Sequence, residues 1–89
     1  MMDKRILQLR KELDLIDEKI LILLEKRMDI VIKVGQLKSE LEIPIEDIKR
    51  EKEIIKRLTE HSHKKLSDKQ LIRIFKTFFQ LSKNEQKKF

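Results

Sequence analysis

The stretch ILQLRKELDLIDEKILILLEKRMDIVIKVGQLKSEL, residues 6–41, decides the fold. Within it Ile6, Leu9, Leu13, Ile16, Ile20, Leu23, Arg27, Ile30, Val34, Leu37 and Leu41 follow alternating steps of three and four. That is an unbroken a/d heptad seam and predicts one long amphipathic helix. Arg27 alone in the seam is not aliphatic. Asp3 supplies an N-cap, and Ile43, restrained by the following Pro44, leaves the helical region and closes the element. A helix of about 38 residues spans about 57 Å at its usual rise, whereas a compact chain of this length has a radius of gyration of about 12 Å. The rest of the chain is too small to cover such a seam, so a homodimer built on the first helix is expected. Gly35, inside the helix, costs about 1 kcal/mol relative to Ala and signals close approach of another backbone or of a ligand.

Working outward, 89 residues with one Gly, one Pro and 4% aromatics allow a single domain, residues 1–89, of the all-α class. The absence of Cys excludes disulfides and thiolate metal sites and is compatible with a reducing compartment. His61 and His63 read as a polar loop and not a metal pair, because no third ligand type is spaced around them. The longest unbroken apolar run, Ile20 to Leu24, is far shorter than the roughly 20 residues of a membrane span, and no signal peptide is evident. A cytoplasmic protein without membrane association is expected. The formal net charge of +6 invites a nucleic-acid reading, but acidic residues are interleaved with Lys and Arg. A solvated surface or a small anionic ligand accounts for the charge equally well.

Pro44 is suited to the first turn of a second helix, with Glu46 and Asp47 near the positive end of its dipole. Its buried face runs Ile45, Ile48, Glu51, Ile55 and Leu58, with Ile54 adjoining. Glu60 to Leu66 reads as loop. Ser67 to Gln70 has the Ser-x-x-Gln form of a capping box for a third helix that buries Leu71, Ile74, Phe75, Phe78 and Phe79, the same spacing continuing to Ser82 and Gln86.

Each helix therefore carries charged or polar exceptions on an apolar face, and each exception alone has an ordinary explanation. A polar seam residue sets register, a polar end frays, and Asp47 and Glu51, which repel slightly at i,i+4, pair with nearby cations on a solvated face. Together they also fit a pocket for an anion bearing hydroxyl groups, since an unpaired buried arginine costs several kcal/mol. Arg27 and Lys38 lie about 20° apart around the helix and about 16 Å along it, a span two long side chains can bracket. Arg10 lies about 25 Å from Arg27, too far to serve the same site from its own chain. In an antiparallel dimer, Arg10 of the partner subunit would reach it, and twofold symmetry would make two equal sites.

The run LQLRKELDLIDEKILILLEKR, then VGQLK, IPIEDIKRE and FFQLSKNEQ closely resembles the all-helical chorismate mutases, small intertwined dimeric enzymes of the shikimate pathway. The resemblance extends from about Leu7 to Gln86. It implies three helices per chain, a long N-terminal helix and an intertwined antiparallel homodimer. The implied reaction is the Claisen rearrangement of the dianion chorismate to prephenate for phenylalanine and tyrosine biosynthesis, with no metal, cofactor or covalent nucleophile. On this resemblance Arg27 and Arg10 of the partner subunit hold carboxylates, Lys38 contacts a carboxylate and the ether oxygen, and the Gln86 amide donates to that oxygen. Glu51 accepts from the ring hydroxyl with Asp47 beside it, and Arg50 and Ser82 line the pocket.

Two sister activities of the same fold, isochorismate-pyruvate lyase and aminodeoxychorismate mutase, would keep the cationic anchors; Gln86 with Glu51 favours the mutase. From another class, a basic helical module binding nucleic acid or a coiled-coil interaction protein would not need Glu51, Ser82 and Gln86 on buried faces, and no helix-turn-helix spacing is present.

Overall fold

A computed structural model of the chain describes residues 3–89. They form three helices, α1 (Lys4–Glu40), α2 (Ile48–His61) and α3 (Asp68–Gln86), with no strand among the described residues. None of the helices is long and apolar enough to cross a membrane. The chain divides into two compact units, one ending at Ile30 and the other Val31–Phe89.

The N-terminal unit is the first part of α1. Asp3 caps it as the sequence predicts: its Oδ1 accepts from the Arg5 backbone N–H at 2.7 Å, a donor that a helix start otherwise leaves unpaired, and its carbonyl accepts the first helical bond, from the Leu7 N–H at 3.1 Å. The seam residues Ile6, Leu9, Leu13, Ile16, Ile20 and Leu23 are all exposed within the single chain.

The C-terminal unit holds the end of α1 with α2 and α3. The face of α1 that packs here is not the heptad seam. Ile30, Val34, Leu37 and Leu41 remain exposed, while Val31 and Gly35 are buried. The seam and the intrachain contact thus occupy different faces of one helix, which leaves the seam available to something else. Phe79, at 5% exposure, is the other buried apolar residue of this unit, and Phe75 meets Phe78 edge-on at 5.1 Å between ring centroids.

Element ends depart from the sequence expectation at two places. Helix α1 closes at Glu40, earlier than Ile43: Glu42 adopts a left-handed φ of 56°, the Ile43 N–H reaches the Lys38 carbonyl at 2.8 Å and the Glu42 N–H reaches that of Ser39 at 3.3 Å. This is a Schellman closure with a non-glycine at the left-handed position. Pro44 does not open α2 but lies in the linker, and Asp47 is the N-cap, its carboxylate accepting from the Arg50 backbone N–H at 2.9 Å. The competing signal was the cap itself: a side chain that satisfies a free N–H outweighs a proline's fixed φ in setting where a helix starts. Ile48, expected in the buried face, stands exposed in the first turn of α2, and Ile74, expected to be buried on α3, is also exposed. Helix α2 continues to His61, two residues into the expected loop. The start of α3 matches the sequence in detail, with Ser67 and Gln70 reciprocally bonded at 3.1 and 2.9 Å.

Candidate active site

In the C-terminal unit, α1 presents Val31, Gly35 and Lys38 at steps of four and three, so all three lie on one face. Helix α3 answers with Phe79, Ser82 and Gln86, spaced three and four. Gly35 is the contact point. A Cβ built there would sit 3.0 Å from the Gln86 Cα and 2.9 Å from its Cγ, so the glycine that interrupts α1 exists to admit the backbone of Gln86. The buried Gln86 side chain then places Nε2 at 3.5 Å from the Val31 carbonyl, a long bond that leaves the second amide N–H available. Ser82, also buried, turns its hydroxyl back to the Phe78 carbonyl at 2.8 Å.

Lys38, half-buried near the end of α1, donates from Nζ to the Ile45 carbonyl at 2.9 Å. Its own carbonyl closes the helix through Ile43, so the residue is held to the linker at both ends. The next linker residue, Glu46, accepts from Lys83 Nζ at 3.2 Å, and the same Nζ lies 3.2 Å from Glu51 Oε2 on α2. Lys83 therefore joins α3 to the linker and to α2. Hydrogen bonds first to Glu46 and then to Glu51 push its ammonium pKa above the ordinary lysine value. Glu51 is half-buried and borders a groove of about 480 Å³ between α2 and α3, with Ile48, Ile55, Ile72, Lys76 and Phe79 among its walls.

The structure thus brings three of the sequence-predicted residues to contacts that join three helices: Gln86 meets Gly35 of α1, Lys38 grips the linker, and Glu51 is tied to α3 through Lys83, while Ser82 bonds back to Phe78 within α3. It does not add Asp47 and Arg50 to the set. The Asp47 carboxylate is engaged as the α2 cap, and the exposed Arg50 guanidinium turns toward Glu53 at 3.9 Å. Arg10 and Arg27 belong to the N-terminal unit. Arg10 is exposed; Arg27 is half-buried, and its desolvation pushes the guanidinium pKa down. Lys83 was not singled out from the sequence. Its signal was there, since Lys83 follows Phe79 by four residues and precedes Gln86 by three and so shares their side of α3, but its partners are 32 and 37 residues away in the chain. Among the described residues no group of three or more His, Cys, Asp or Glu side chains is placed to hold a metal ion; His61 instead sits at the end of α2 with Nδ1 2.7 Å from the Arg57 carbonyl.

The fold is a small three-helix all-α chain whose polar side chains Lys38, Gln86 and Glu51 come from three different helices. Comparison with known proteins gives that chain its family. Residues 9–87 match the family model of chorismate mutase type II, and the chain belongs to that family. A chorismate mutase of Methanocaldococcus jannaschii is 34% identical over 89 residues, 99% of this chain and 90% of that protein. A bifunctional chorismate mutase/prephenate dehydratase of Aquifex aeolicus is 43% identical over 51 residues, 57% of this chain, which spans only 14% of that protein. Among solved structures, form II of the chorismate mutase of Thermus thermophilus superposes with a TM-score of 0.91 at 36% identity, covering 93% of this chain and 94% of that one. The chorismate mutase of Helicobacter pylori in complex with prephenate gives 0.90 at 35% identity, covering 97% and 93%. Membership makes this chain an isomerase, for the family's reaction converts chorismate to prephenate.

Proposed function

We propose that residues 1–89 act as one functional domain that rearranges chorismate to prephenate in aromatic amino acid biosynthesis, as a cytoplasmic homodimer with two equal sites. The observation that carries the reading is the convergence of Lys38, Gln86 and Glu51 from three helices, each with bonding capacity left to offer. An ammonium has three N–H donors and Lys38 commits one to Ile45; a primary amide has two and Gln86 commits one, weakly, to Val31. The donors that remain are directed at the ether oxygen and a carboxylate of the dianion. As the bond from that oxygen to the ring breaks and the new carbon–carbon bond forms, negative charge gathers on the oxygen. Fixed N–H groups stabilise that charge without reorganising. The second oxygen of Glu51 accepts from the ring hydroxyl, and holding both ends of the substrate fixes the compact conformer in which the reacting carbons meet. No proton is transferred to or from a side chain in this reaction.

Arg27, and Arg10 of the partner subunit, are assigned to the substrate carboxylates, for which a guanidinium fork is suited. What supports the dimer is the aliphatic seam of α1, exposed from Ile6 to Leu41, beside an intrachain core whose buried apolar side chains are Val31 and Phe79. An 89-residue chain with so small a core gains most by covering that stripe with a second copy. Arg50 and Ser82 are assigned to lining the pocket and Asp47, beside Glu51, to shaping it through the start of α2.

Incubating purified protein with chorismate and following the loss of its absorbance, with prephenate turned to phenylpyruvate by acid, tests the activity. Sizing in solution tests the dimer. Lys38→Ala is expected to lower kcat by about 100-fold or more with its helical circular dichroism unchanged. Turnover of isochorismate alone, or a fully active folded Lys38→Ala protein, refutes the reading.

A further inference from the structure

We infer that Lys83 is a positioning residue for the rearrangement: it acts through Glu51, holding that carboxylate in place from α3, with Glu46 as the second anchor that keeps the lysine there. The inference rests on the function proposed above. Lys83 Nζ stands 3.2 Å from Glu51 Oε2 and 3.2 Å from Glu46 Oε1, and its side chain is only 21% exposed. A lysine bridging two carboxylates is restrained in a way a lone surface lysine is not, since each long side chain otherwise keeps its rotamer freedom. The two acids come from different elements, Glu46 from the linker that Lys38 also grips through Ile45, and Glu51 from the first turn of α2. One ammonium therefore couples the linker, α2 and α3 at the place where Glu51 must be aimed.

The chemistry favours an indirect role. Glu51 is to accept a hydrogen bond from a neutral hydroxyl, so it must keep one oxygen open and aimed. Lys83 meets that need by binding Oε2 and leaving Oε1. Without it Glu51 stands beside Glu46 with no cation between them, and the two like charges repel. The carboxylate then swings away from the hydroxyl it is to receive.

The test is a double-mutant cycle on the dimeric enzyme with chorismate as substrate, using Lys83→Met, Glu51→Gln and the double variant. Each single change is expected to lower kcat/KM by about tenfold, the scale of one hydrogen bond to a charged group. The double variant should be no worse than Glu51→Gln alone, because Lys83 acts only through that residue. Lys83→Arg, which restores a cation of similar reach, should recover most of the activity. If Lys83→Met loses its helical circular dichroism, Lys83→Gln takes its place in the cycle. Losses that multiply in the double variant, or a Lys83 variant as active as the parent while Glu51→Gln is impaired, overturn the inference and leave the mutase reading standing. A parent protein that does not turn over chorismate overturns the mutase reading itself.

Discussion

Replacing Gly35 with Ala separates two opposite expectations. On helix propensity alone the change should help, since Gly in a helix interior costs about 1 kcal/mol relative to Ala. The packing says otherwise. The added methyl would stand 2.9 Å from Gln86 Cγ, 3.0 Å from its Cα and 3.2 Å from its Cβ, whereas carbon atoms rest comfortably at about 3.5–4.0 Å. The Cγ can swing away, but the Cα belongs to the backbone of α3, so the two helices must part locally by about 0.5–1 Å. Overpacking of this kind costs about 1–3 kcal/mol. Set against the propensity gain, it leaves a net loss of about 1 kcal/mol, or about 4–8 °C in Tm for a domain of this size. Activity should suffer far more. Gln86 Nε2 is already 3.5 Å from the Val31 carbonyl, so the shift removes that anchor as the amide itself moves. A misplacement of about 1 Å costs on the order of 100-fold in rate. The assays are thermal melts by circular dichroism and steady-state chorismate consumption. A Gly35→Ala protein with a raised Tm and an unchanged kcat would refute both the close approach as a constraint and the role given to Gln86.

Three further outcomes are expected. Gln86→Glu puts a carboxyl in a buried position that donates only when protonated, so its activity should climb as pH falls; a flat profile would mean that Gln86 does not donate to the ether oxygen. Glu42→Gly relieves a left-handed residue with φ of 56° and should stabilise the fold by about 0.5–1 kcal/mol, net of the extra unfolded-state entropy; a lower melting temperature would count against the Schellman closure. For Lys83, whose pKa Glu46 and Glu51 raise above the ordinary 10.5, the sign is that of a cation gaining partners. Its stabilisation is fully present below pH 10.5 and is lost as pH rises through the higher folded-state value, so the Tm gap between the parent and Lys83→Met should stay level up to about pH 10 and close above it. A gap that persists at higher pH would show that the ion pairs to Glu46 and Glu51 are not its source.

Much was legible in the residues because it is local. The capping box at Ser67 and the cap at Asp3 are read within three residues of where they act, and heptad spacing announces a long helix whatever surrounds it. Gly35 could be flagged from the sequence as a point of close approach. That the approaching group is the backbone of Gln86, 51 positions on, required the fold. The same limit explains Asp47. Placed four residues before Glu51, it reads as the second half of a carboxylate pair, yet its carboxylate is turned to the Arg50 N–H because that is where α2 begins.

Periodicity names the faces of a helix but not their partners. Helix α1 has an aliphatic seam through Ile30, Val34 and Leu37 and a second face through Val31 and Gly35, and only packing reveals that its own chain covers the second. Lys83 makes the point for charge: one of 22 Lys and Arg residues, it is distinguished by where Glu46 and Glu51 are brought. The sequence by itself determined the three helices, the caps at Asp3 and Ser67 and the residue types available for chemistry, since those depend on neighbours within a turn or two. The tertiary structure alone decided which face is buried and which cation meets which acid, because those depend on distances between atoms that are far apart along the chain.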